Sequence, residues 1–95
     1  MEVPKNILNL IKMNKITFSK KSINYLLQNK YSIIDFKNSV INGYIKKKER
    51  DELHISNYKY TIIGPALNGQ KLYTCGKIIS IEDKQYFFIT LHKAD

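Results

Sequence analysis

The chain encodes an α+β domain: two to three N-terminal helices packed on one face of a three- to four-stranded antiparallel sheet. Apolar residues recur at helical spacing through the first half, as in Ile7, Leu8, Leu10 and Ile11. From Leu53 onward they recur at every second position, as in Tyr58, Tyr60 and Ile62. Between two of these alternating runs stands Asn68-Gly69, a pair suited to a tight hairpin turn.

Val3-Pro4 opens the first helix, because proline's missing N–H would have no intrahelical partner there. Asn14-Lys15 ends it, and Ile16-Thr17-Phe18 reads as a short extended piece, an edge strand. Ser19 is the N-cap of a second helix with the stripe Ile23, Leu26 and Leu27, ending near Lys30. The third helix has the fullest local signature. Ser32 and Asp35 have capping-box spacing, and Tyr31 and Phe36 stand at the positions of a hydrophobic staple. Ile33, Phe36, Val40 and Ile41 form its apolar face, and Asn42-Gly43 offers a left-handed stop. Tyr44-Ile45 begins a strand that runs into the wholly charged segment Lys46 to Glu52. That segment reads as a solvated turn or strand edge; the alternative is a functional basic contact at Lys46, Lys47, Lys48 and Arg50, weakened by the acidic residues among them.

In the first sheet run Ile55, Asn57, Lys59, Thr61 and Ile63 share one side, opposite Tyr58, Tyr60 and Ile62. Pro65 after Gly64 stops that strand near Ile63. Beyond the turn Tyr73, Cys75, Lys77 and Ile79 alternate with Leu72, Thr74, Gly76 and Ile78. In the last run Phe87, Ile89 and Leu91 are the natural inward set, leaving Tyr86, Phe88, Thr90 and His92 on the open face.

Ninety-five residues suffice for one domain spanning 1–95, with a single core and no need of staples. The 43% hydrophobic and 12% aromatic content is that of a folded protein. A lone cysteine, Cys75, allows no internal disulfide and suits a reducing cytoplasm as a buried, inert thiol. No run reaches membrane-span length and no secretory signal is seen, so the expected location is cytoplasmic, away from membranes. The formal net charge is +8, from sixteen basic residues against eight acidic ones. An anionic partner follows, nucleic acid first. All the basic residues but Arg50 are lysines, and Ile, Asn and Tyr are also abundant, which an AT-rich coding sequence produces with no binding role at all. Scarce arginine also argues against many bidentate phosphate or guanine contacts.

No motif names a reaction. There is no glycine-rich phosphate loop, nucleophile elbow or metal-ligand spacing, and His54 and His92 lack partner ligands, so neither cofactor nor metal is expected. The open sheet face is the better candidate. His92 is the residue suited to acid–base work, since imidazole titrates near neutrality. Lys77 and Lys71, on the neighbouring strand, are suited to holding phosphate or a developing anion. Tyr73 and Tyr86 are suited to stacking on an unpaired base, with Lys59 and Lys20 as further basic contacts. The plainer reading makes these a solvent-facing histidine, solubilising lysines and ordinary sheet tyrosines.

The segments ITFSKKSINYLLQNKYSIIDFKNSVINGYI, KYTIIGPALNGQKLYTCGKIIS and FFITLHK resemble the compact RelE-like domains grouped with the BrnT and MqsR toxins. A related family known only as a domain of unknown function belongs to the same group. The resemblance covers Ile16 to Lys93. It rests on a strand–Gly–loop–Gly–strand middle, here Ile62-Ile63-Gly64 and Asn68-Gly69-Gln70-Lys71-Leu72, and on Thr90-Leu91-His92 where the family often has Thr-Val-Tyr. It implies a short strand, two helices and a three- or four-stranded antiparallel sheet. Many members of the unknown-function group carry a His, two Arg and a Gly along the first main helix and the turn after it; the comparable places here hold Lys21, Tyr25, Asn29 and Lys30. If this chain cleaves RNA, the resemblance therefore points to a different set, Lys21, Lys77 and His92. The implied function is a toxin-like, metal-independent mRNA endoribonuclease of a toxin–antitoxin pair, with RNA as substrate and an acidic antitoxin over the basic face. The alternatives are a non-catalytic nucleic-acid- or protein-binding module and a small accessory or immunity-type protein.

Overall fold

The computed structural model describes residues 1–52 and 57–94; Leu53, His54 and Ile55 lie outside the described residues. Among those described, α1 (Lys5–Lys12), α2 (Lys20–Gln28) and α3 (Ile33–Ile41) accompany strands β1 (Ile16–Phe18), β2 (Tyr44–Arg50), β3 (Tyr58–Pro65), β4 (Lys71–Ser80) and β5 (Lys84–Lys93). The strands form one sheet in the order β1-β5-β4-β3-β2. The architecture is α+β as expected, but the sheet has five strands and is mixed. β2 through β5 pair antiparallel, whereas β1 pairs parallel to β5. A parallel pair needs a crossover, and here α2 and α3 intervene, carrying the chain from the β1 edge to the β2 edge. The charged run supplies the other edge strand, where lysine and glutamate keep their heads in water. None of the described helices is long and apolar enough to cross a membrane.

Each helix is bounded by local chemistry. Asn14 takes a left-handed φ of 59° just past α1. Ser19 caps α2 by accepting from the Ser22 N–H at 3.0 Å. The buried side of α2 is Ser22, with Tyr25 and Leu26 partly buried, whereas Ile23 and Leu27 are 45% and 79% exposed. Serines set this rotation. The Ser19 and Ser22 hydroxyls donate to the Ile89 and Phe88 carbonyls, at 2.7 and 3.0 Å, and hold that side of the helix on β5. The α3 capping box is complete, with the Ser32 hydroxyl and Asp35 carboxylate each accepting the other's backbone N–H. Phe36, Ser39 and Val40 are its buried residues, while Ile33 is 43% exposed. Its end is not left-handed; Asn42 has φ −106° and Gly43 is not among the positive-φ residues. Gly43 instead permits close approach, together with Gly64: a Cβ on either would lie 2.3 or 1.9 Å from the Ser39 carbonyl oxygen.

The hairpin loop is Leu67-Asn68-Gly69, closed by Gly69 N–H to Ala66 O and Ala66 N–H to Gln70 O. Gly69 has φ +88°, the left-handed position that three-residue hairpin loops require. β3 does not stop at Ile63 but runs on to Pro65. Ala66 donates toward β4, so the Pro65 nitrogen one residue away faces the β2 side. β2 begins only opposite Ile63, and no ladder bond is lost there.

The core gathers Ile7, Ile11, Phe36, Val40, Ile62 and Leu72 with three residues of β5: Tyr86, Phe88 and Leu91. Strict alternation in β5 fails at a bulge. Cys75 pairs with Thr90 but Gly76 pairs with Phe88, so Ile89 is the extra residue. Before the bulge Tyr86 and Phe88 point inward and are fully buried; after it Leu91 does. The expectation of Tyr86 and Phe88 on the open face, with Phe87 and Ile89 as core, is therefore corrected.

Candidate nucleic-acid interface

All three helices contribute to the one core cluster on the inner face. The outer face carries Lys71, Tyr73, Cys75 and Lys77 of β4, since Leu72, Thr74 and Gly76 between them are buried inward. Beside them lie Lys59, Thr61 and Ile63 of β3 and Thr90 and His92 of β5. Tyr73 and His92 are cross-strand partners with stacked rings, 4.5 Å between centroids and 14° between planes. Tyr44, Lys46, Ile63 and Lys71 complete a shallow concavity around that stack. Lys46 is the bulged residue of β2, and both it and Lys71 are exposed.

The His92 Nδ1 lies 2.8 Å from the Lys93 carbonyl oxygen. A carbonyl can only accept, so Nδ1 is the donor in this contact, and in the neutral form of the ring the lone pair then lies on Nε2. Burial pushes the Cys75 thiol up, and Lys59 opposes this more weakly. Cys75 was expected to be buried, but it is half-buried on the outer face, because it alternates with the inward Thr74 and Gly76.

The remaining candidates fall elsewhere. Lys77 is on the outer face but is bound to Asp51, Nζ to Oδ2 2.7 Å, with side chains 13% and 4% exposed. It lies four positions along β4 from Tyr73, the partner of His92, roughly 13 Å at the usual strand rise. Lys59 faces outward opposite Glu49 in the ladder. Lys20 and Lys21 are exposed on α2, on the other side of the sheet. Tyr86 cannot stack on a base, because it is fully buried and its ring packs beneath Gly76. Lys21, Lys77 and His92 are thus not brought together. Lys48 belongs to another environment, its Nζ 4.3 Å from the Tyr58 ring centroid and 5.8 Å from that of Tyr60.

Tyr44 was not singled out by sequence reading. Its signal was the alternation that begins at Tyr44-Ile45, but only pairing with β3 shows which face it joins. Among the described residues no group of three or more His, Cys, Asp or Glu could hold a metal ion. The chain matches no protein-family model, no curated protein and no solved structure.

Proposed function

We propose that the outer sheet face binds single-stranded RNA, in a protein of the RelE-related toxin type. The observation that carries this reading is the stack of half-buried Tyr73 on exposed His92, flanked by Lys46 and Lys71 on a chain of charge +8. Stacking on each other uses one face of each ring, so a base would extend the stack on an outer face, and the lysines supply the backbone's counter-charge. Fluorescence anisotropy with a labelled single-stranded RNA tests it. Tyr73→Ala should weaken binding by about 1–3 kcal/mol, the usual range for one stacked base. Unchanged affinity in Tyr73→Ala, with the fold intact, removes this face from the proposal.

Cleavage of that RNA is the second reading, favoured by the hydrogen bond that leaves His92 Nε2 free to accept a proton. His92 would take the proton of a ribose 2′-hydroxyl as its oxygen bonds to the adjacent phosphorus and the P–O5′ bond breaks. That leaves a 2′,3′-cyclic phosphate and a 5′-oxygen that takes a proton from water, while Lys71 and Lys46 stabilise the anionic transition state. RNA incubated with the protein in EDTA should be cut, and His92→Gln should leave it whole even at protein concentrations that saturate the RNA. Intact RNA with the wild-type protein would select the non-catalytic module. The same charge suits a small acidic antitoxin, which stoichiometric co-purification of such a partner would reveal.

A further inference from the structure

Beside the stacked rings, the edge of the sheet carries a second concavity. β3 outruns β2 at Gly64-Pro65, and the notch left there is lined by Asn42, Tyr44, Ile63, Gly64, Pro65 and Lys71. Its volume is about 180 Å³, below the roughly 300–1,000 Å³ of pockets that enclose whole drug-sized ligands. The scale is that of a single ring system. Its walls are mostly apolar, because the proline has no N–H and its carbonyl already accepts from the Asn38 side chain at 3.0 Å. The notch and the Tyr73–His92 concavity share Tyr44, Ile63 and Lys71, so the two are continuous.

Asn42 is the residue that could read a base. Its Nδ2 donates to the Asn38 carbonyl at 3.3 Å and to Asn38 Oδ1 at 2.9 Å. The backbone carbonyl accepts only, which fixes the amide orientation and leaves Oδ1 as the available acceptor. We infer that the notch takes one unstacked nucleobase of a single-stranded RNA and favours adenine or cytosine over uracil. This rests on the RNA-binding reading of the adjoining face. The exocyclic amino group of adenine or cytosine donates to Asn42 Oδ1. Uracil offers only a ring N–H between two carbonyl oxygens, which meet the Oδ1 lone pairs. Lys71, shared by both concavities, holds the phosphate between the inserted base and the base stacked on Tyr73 and His92.

The test compares oligo(A), oligo(C) and oligo(U) of equal length by anisotropy at one salt concentration, with the intact chain. The wild type should bind oligo(A) and oligo(C) about fivefold more tightly than oligo(U), the equivalent of one net hydrogen bond. Asn42→Leu, checked for folding by circular dichroism, should bring the three affinities together. Equal affinities in the wild type, or a preference that survives Asn42→Leu, overturns the base-reading role and leaves RNA binding standing. Failure to bind any of the three overturns the RNA reading beneath it.

Discussion

Asp35 joins two elements through one carboxylate. Oδ2 accepts from the Ser32 backbone at the start of α3, and Oδ1 accepts from the Leu67 backbone in the hairpin loop, both at 3.0 Å. These backbone donors hold its pKa below the ordinary 3.8. A depressed folded value means that the carboxylate's stabilisation is fully present above the unfolded pKa. It is lost as pH falls below 3.8 and through the folded value. Asp35→Asn should therefore cost about 1–2 kcal/mol in urea unfolding at pH 7, and much less at pH 2. Tyr86 is the opposite case. Its ring fills the core, but its hydroxyl is buried with no hydrogen-bond partner among the described residues, and burial pushes its pKa up. Removing an unsatisfied buried hydroxyl relieves a desolvation penalty. Tyr86→Phe should raise stability by about 1 kcal/mol, a rise of roughly 4–8 °C in melting temperature. A lower melting temperature would show that the hydroxyl is satisfied.

At the level of elements, the β3–β4 hairpin and the α3–β3 joint depend on glycine for different reasons. Gly69 has open space around a would-be Cβ, so only its φ of +88° resists substitution. Gly69→Val should cost about 1–2 kcal/mol and Gly69→Asn less, since asparagine tolerates the left-handed region. At Gly64 a Cβ would lie 1.9 Å from a backbone oxygen, and Gly64→Ala should cost about 3 kcal/mol by parting α3 from the sheet. Thermal melts of these variants should rank Gly64→Ala as the most damaging. The hairpin, the α3 cap and the alternation of β3 and β4 were legible in the sequence because adjacent residues decide them. The bulge at Ile89 was not, because it exists only in the register between β4 and β5. One extra residue reversed the faces of Tyr86 and Phe88 and removed one of the expected stacking tyrosines. The rotation of α2 was hidden likewise, since serine hydroxyls bonded to β5 outweighed the apolar stripe of Ile23 and Leu27. Of the candidate site, Lys71, Tyr73 and His92 were legible together because they share one side of the bulge, His92 after Ile89 in β5 and Lys71 and Tyr73 before Cys75 in the antiparallel β4. Lys77 was legible as outward-facing, but its partner Asp51 lies just past the end of β2, a strand not adjacent to β4.

For the whole molecule, the helices take one face of the sheet and leave the other to solvent, so core and candidate site sit back to back. If about three lysines on the outer face neutralise phosphates, the logarithm of affinity should fall with the logarithm of salt at a slope of roughly −2. A flat salt dependence would point to a protein surface as the partner instead. Lys77→Met separates the two faces of the problem, since it takes an ammonium from beside the 4%-exposed Asp51 carboxylate. It should destabilise the fold by about 1.5–3 kcal/mol, the range for a hydrogen bond to a charged group. Loss of RNA binding in that variant is therefore to be judged against its melting curve. The place of β5 has a consequence for synthesis. Of the five strands described it is the last to leave the ribosome, yet it lies between β1 and β4 and brings Tyr86, Phe88 and Leu91 to the core and His92 to the outer face. Its partner β1 is the first of these strands to be made, so among the described strand pairs theirs closes the largest loop. A nascent chain halted at Ser80 has neither a complete core nor the histidine, and should remain open to protease until the final strand is released.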